Sequence, residues 1–169
     1  EVGGIESHLL DLEKALRAQG GFRAIVATFQ PIFTRKRQDS PPVERIGCFE
    51  VHRFRWIFPG LFDRLAHRSA YLAEIYLAPY YFLRTACLLW SVRRQIHVIH
   101  AHGMMAALVG RLLARGIHKP LIVSTHAVYR FDLPHFSNRI MRWVLRGAAR
   151  ILALSEQSAE EVRGLGIDA

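Results

Sequence analysis

The chain has 169 residues, 51% of them hydrophobic and 22% charged, and carries a net charge of +9 at neutral pH. A chain of this length suits one domain with a sizeable core, since such a domain buries about 70% of the surface its unfolded form exposes; the composition excludes an intrinsically disordered segment. The positive balance favours anionic partners, and nucleic acid is set aside among them because no RNP, KH or zinc-finger signature and no continuous basic helix is present.

The chain opens with EVGGIESHLLDLEKALRAQGG, in which Ile5, Leu9, Leu12 and Leu16 recur at steps of four, three and four. That spacing predicts one face of a helix over residues 5–18, with Gly20-Gly21 as its stop. Directly ahead stand Gly3 and Gly4. They are either a flexible tail capping a helix or, with a parallel strand upstream of Glu1, the turn into a helix whose unpaired N–H groups favour an anion.

FRAIVATF, residues 22–29, reads as a strand buried on both faces, ended by Gln30-Pro31; TRKRQDSPP is a loop on composition. VERIGCFEVHRFRW then reads as a pair of short strands or a hairpin around Gly47. Residues 75–92 contain one charge, Arg84, and one proline, Pro79, in a run close to the length that spans a bilayer. A central Arg costs about 2.5–3.5 kcal/mol on the insertion scale, and Pro79 interrupts the helix, so a buried or membrane-surface helix is expected instead of a span. Tyr76, Tyr80, Tyr81, Phe82 and Trp90, with Arg84, Arg93 and Arg94, suit either core packing or a helix against lipid headgroups.

From residue 96 the rhythm is regular: IHVIHAH, PLIVSTHA and RILALS read as strands, and GMMAALVGRLLARG, SNRIMRWVLRGA and EQSAEEVRGLG as helices. This alternation predicts an α/β, Rossmann-like fold with a parallel sheet and helices on both faces. Ligands bind outside the carboxyl ends of such strands, and the run ends here are polar: Thr28 and Gln30, His102 and Gly103, Ser124 to His126, Ser155 and Glu156. His100 and His102 share one face, and with His126 and His8 they make a metal site imaginable. No Asp or Cys ligand accompanies them and no HExxH appears, so no metal is expected. His100 is expected to pack in the sheet layer and donate to a backbone carbonyl. Cys48 and Cys87 are expected to be free, buried thiols in a reducing compartment.

In order, GGIESHLLDLEKALRAQG, VIHAHG, VSTHAVYRF and ARILALSEQSAEEVRGLGI resemble the N-terminal domain of the retaining glycosyltransferases of family 4, which have the two-domain GT-B fold. Within that family, GGIESH, HAH and TH-x-x-Y/F-x-F look most like the subgroup containing the N-acetylglucosaminyl transferase subunit that starts glycosylphosphatidylinositol synthesis. The resemblance implies that Gly3 and Gly4 face the diphosphate of a nucleotide sugar, with Glu6, Ser7 and His8 beside them. It implies that His126 contacts the transferred sugar near the reacting centre and that His102 lines the acceptor side. Thr125, Tyr129, Ser155 and Glu156 are the remaining cleft candidates. It further implies that residues 1–169 are an acceptor-side domain lacking its first strand and its nucleotide-binding C-terminal partner domain, and inactive alone.

The expected function is therefore the acceptor half of a retaining transferase that moves a sugar from a nucleoside diphosphate sugar to a lipid-linked or phosphorylated acceptor. No cofactor or metal is required, because the nucleotide sugar is a substrate. The expected location is the cytoplasm, with peripheral contact to the membrane through anionic lipid. Two alternatives come from other classes: a nucleotide-dependent oxidoreductase, which the absence of GxGxxG disfavours, and a membrane-associated binding module without catalytic activity.

Overall fold

The computed structural model describes residues 4–30, 40–125 and 135–167, with the backbone alone described at 4–6, 70, 71, 74 and 135–137. The chain divides into two compact units, one ending at Leu77 and one starting at Ala78.

In the first unit, α1 (Gly4–Gln19) occupies the span that the leucine spacing predicts. It stops where Gly20 and Gly21 take φ of +69° and +75°, a region that costs an L-residue about 1–2 kcal/mol. Strands β1 (Ala24–Phe29), β2 (Val43–Ile46) and β3 (Phe49–Phe54) form a sheet in the order β1-β3-β2. β1 runs parallel to β3, and β2 pairs antiparallel to β3. The hairpin expected around Gly47 is thus present, its turn made possible by φ +56° at that glycine. β1 departs from expectation. All six of its residues are half-buried; among the described residues it lies at one edge of the sheet and pairs with β3 alone. Its far end is closed by aromatic packing, with Trp56 4.6 Å from both Phe29 and Phe62 and its indole N–H donating to Gln30 O at 2.5 Å.

Helix α2 (Pro59–Arg68) starts with a proline in its first turn and buries no residue. Helix α3 (Ala70–Val92) carries Pro79 inside it, and the division between the units falls just before that proline. It is not a core helix along its length. Leu83 and Trp90 are each 61% exposed, and Cys87 lies exposed between them at helical spacing. Cys87 is therefore not the buried thiol expected from its apolar context; it sits on an outward stripe, while Cys48 is half-buried. Among the described residues no helix is long and apolar enough to cross a membrane.

The second unit alternates β4 (Ile99–His102), α4 (Met104–Ile117), β5 (Leu121–Thr125), α5 (His135–Arg146), β6 (Arg150–Ala153) and α6 (Glu156–Gly164). The strands are all parallel, in the order β4-β5-β6. This is the expected α/β, Rossmann-like class, a parallel sheet with helices on both sides. Register sets Ala101, Val123 and Ile151 side by side on one face, and His102, Ser124 and Leu152 on the other. The first face meets Ala107, Ala114, Val144, Leu145, Val162 and Leu165 in one core cluster. Each fully buried Leu or Val there contributes about 1.5–3 kcal/mol relative to exposure. Gly110 lets α4 lie close on the sheet: a Cβ there would come 3.1 Å from Leu121 Cδ1 and 3.4 Å from Ala101 Cβ.

Candidate functional site at the strand ends

The carboxyl ends of β4 and β5 are locked together by a glycine turn. Gly103 takes φ +85° and ψ 169°, a conformation open essentially to glycine alone. Its N–H donates to Ser124 O at 3.0 Å, and its carbonyl accepts from Ala107 N–H at 2.9 Å, which starts α4. His102 is thereby held at the last strand position, half-buried beside Ser124.

The two histidines of β4 do share a face, with ring centroids 4.1 Å apart. His100 Nε2 lies 2.7 Å from Ser124 Oγ, and Ser124 has no solvent exposure. When Nε2 is unprotonated the hydroxyl donates to it; when it is protonated the hydroxyl accepts. The partner of Nε2 is thus a side-chain hydroxyl. The half-buried imidazoles stand on one face of the sheet, backed by the buried Ser124 hydroxyl, and their ring nitrogens are of a kind suited to hydrogen-bonding a hydroxylated ligand.

The next residues are committed differently. Thr125 is 2% exposed and points to the opposite face, where its Oγ1 accepts from Ser158 Oγ–H at 2.7 Å. Ser155 is the N-cap of α6, its Oγ accepting from Ser158 N–H at 3.2 Å. Glu156 is exposed and pairs with Arg163 at 2.5 Å; it also places a carboxylate in the first turn, where the helix dipole favours it.

The structure therefore brings His100, His102 and Ser124 together, and joins Thr125, Ser155 and Ser158 in a second cluster. In the first unit, Gly4 opens α1, Ser7 is exposed and His8 is half-buried. Gly3, His126 and Tyr129, and the side chain of Glu6, lie outside the described residues. Among the described residues no three His, Cys, Asp or Glu side chains stand together in a way that could hold a metal ion.

Two features escape the sequence reading. Ser158, three residues after the Ser155 cap, carries no signal in the sequence, because its hydroxyl bonds Thr125, 33 residues earlier. Glu13 is 6% exposed on the inner face of α1; its position four after Leu9 places it on the apolar stripe. Its Oε1 accepts from Cys48 N–H at 3.2 Å, and Arg17 Nε stands 3.6 Å away. That carboxylate ties the helix bearing Gly4, Ser7 and His8 to the hairpin turn.

A family model described as a glycosyl transferase 4-like domain matches residues 3–169, nearly the whole chain. No curated protein matches the chain significantly.

Proposed function

Since the chain belongs to the glycosyl transferase 4-like domain family, we propose that it is the acceptor-side domain of an enzyme that moves a sugar from a nucleoside diphosphate sugar to a hydroxyl with retention. The observation that carries this reading is the strand-end group on one face of the parallel sheet: His102 at the end of β4, stacked on His100, with Ser124 beside them. That is where open parallel sheets bind ligands, and its donors and acceptors suit sugar or acceptor hydroxyls.

In this reading the start of α1 faces the diphosphate, whose developing charge is stabilised by fixed N–H donors at Gly3-Gly4 and by cationic residues, without a metal. His126 orients the transferred sugar. A partner domain supplies the nucleotide grip. The acceptor is lipid-linked or phosphorylated, in keeping with the +9 charge and with the outward stripe of Leu83, Cys87 and Trp90, where Arg93 stacks 4.4 Å from the Trp90 ring centroid. The setting is the cytoplasmic membrane surface. The motif likeness to the subgroup containing the subunit that starts glycosylphosphatidylinositol synthesis makes N-acetylglucosamine and an inositol lipid the first donor sugar and acceptor to try.

The test is release of nucleoside diphosphate by the protein joined to a nucleotide-sugar-binding domain. His126→Ala is expected to lower kcat about 10²–10³-fold, the usual cost of removing one transition-state donor. Full activity in that variant overturns the role of His126. Hydride transfer to a nicotinamide cofactor, or no turnover with any nucleotide sugar, overturns the reaction class.

A further inference from the structure

Arg139, Arg142 and Arg146 stand at steps of three and four along α5, so they share one face, and all three are exposed. Opposite them, α4 contributes Arg111. Its Nη1 donates to Gly147 O at 2.9 Å, its guanidinium carbon lies 5.4 Å from the Trp143 ring centroid, and its Nε is buried without a hydrogen-bond partner. These five side chains and Gly147 line a groove of about 370 Å³.

Among the described residues no carboxylate lies within ion-pair distance of any of these four arginines, whereas Arg23, Arg45, Arg53 and Arg163 each meet one. Four guanidinium groups without carboxylate partners around one groove repel one another, and among the described residues only Arg111 of the four has a hydrogen bond tying it to the fold. The core takes Val144 and Leu145 of α5, with Ile140 and Met141 packed against it, and none of the arginines. The C-terminal end of α5 accounts for Arg146, in its last turn, and in part for Arg111, which donates to Gly147 O, but not for Arg139 or Arg142.

We propose that this groove is a binding site for a phosphate-bearing anion. Guanidinium forks match phosphate oxygens bidentately, the Arg111 Nε–H is a donor still unused, and Trp143, 40% exposed, supplies a flat apolar wall. The site is separate from the strand-end group, because α4 and α5 pack on the Ala101 and Val123 face while His100, His102 and Ser124 occupy the other. It does not rest on the transferase reading.

The test measures binding by the purified chain, without any transfer assay, to inorganic pyrophosphate by calorimetry and to phosphatidylcholine vesicles with and without phosphatidylglycerol by co-sedimentation. Saturable pyrophosphate binding identifies a soluble phosphate compound as the ligand; binding only to the anionic vesicles identifies a lipid headgroup. Either is expected to fall at least tenfold in Arg139→Gln/Arg142→Gln, and to stay within twofold in Arg64→Gln/Arg68→Gln, which removes equal charge from exposed positions on α2. Gly147→Ala keeps every charge, but its Cβ occupies the space of the Arg111 guanidinium, a flexible group that moves without unfolding the chain; it is expected to weaken binding severalfold. Circular dichroism checks that each variant is folded. Absence of binding to both probes, equal loss in the α2 variant, or unchanged binding in Gly147→Ala overturns the site.

Discussion

Gly47→Ala tests how α1 is fixed to its sheet. The glycine sits at φ +56°, and a Cβ built on it falls on the Glu13 carboxylate. Alanine must therefore hold the left-handed region, at about 1–2 kcal/mol, and push aside a carboxylate that is 6% exposed and accepts the Cys48 N–H bond at 3.2 Å. Losing a hydrogen bond to a charged group costs about 1.5–3 kcal/mol. Because Glu13 can swing toward Arg17, 3.6 Å away, the sum falls in the lower half of the combined range, about 3 kcal/mol. For a chain of this size that lowers Tm by about 6–12 °C. Thermal unfolding followed by circular dichroism at neutral pH reads it directly. In a Glu13→Ala background only the backbone strain remains, so the same substitution should cost about 1–2 kcal/mol there. A Gly47→Ala cost below 1 kcal/mol in the native background, or an equal cost in both backgrounds, refutes the account.

Two further substitutions probe the units separately. Glu50 is held to about 2, below its ordinary 4.5, first by a hydrogen bond from Arg23 at 2.6 Å and then by His52 at 2.9 Å. A depressed carboxyl stabilises the fold above pH 4.5, and the gain is lost as pH falls through 2; Glu50→Gln should lower Tm at pH 7 by an amount that shrinks steadily below pH 4.5, and a gap that stays constant from pH 7 to pH 3 would refute the pairing. Ser158→Ala removes the donor to buried Thr125 Oγ1 and leaves that hydroxyl only its 3.5 Å contact with Leu152 O. The expected cost is about 1–3 kcal/mol, read by denaturant titration, with no change in the midpoint as the contrary result.

The parts of the fold legible in the sequence are those set by local period. Leucine spacing places α1 within a residue at each end, and the alternation after residue 96 yields the parallel strands and their helices. What was hidden depends on neighbours distant in sequence. β1 looks fully buried as AIVATF, yet its residues are half-buried in a strand that, among the described residues, pairs with β3 alone. Cys87 has an apolar context, yet it lies on the outward stripe of α3. Glu13 reads as a solvated charge until Cys48, 35 residues later, supplies the N–H that makes its burial tolerable. The candidate site shows the same division: the histidines' common face follows from the two-residue period of a strand, whereas the Ser124 partner of His100 comes from the neighbouring strand's register.

The pleat also sorts the candidates by what they are free to do. Adjacent residues Ser124 and Thr125 point to opposite sides of the sheet, so one strand end serves two purposes. Thr125 faces α6 with Ser158 and the Ser155 cap, and these hydroxyls are occupied in starting that helix. Removing any of them should therefore act on stability. Ser124 faces His100 and His102, and a change there alters the hydrogen bonding of the imidazole pair without touching the α6 start. On the proposed reading, substrate contact from β4 and β5 falls to the histidine face. In the protein joined to a nucleotide-sugar-binding domain, His102→Ala should lower kcat/KM for the acceptor while leaving Tm within about 2 °C, because its half-buried ring lies outside the main core. Ser155→Ala should show the converse, a loss of about 1 kcal/mol in stability with acceptor kinetics preserved. Acceptor kinetics that fall with Ser155→Ala and hold with His102→Ala would place the cleft on the other face.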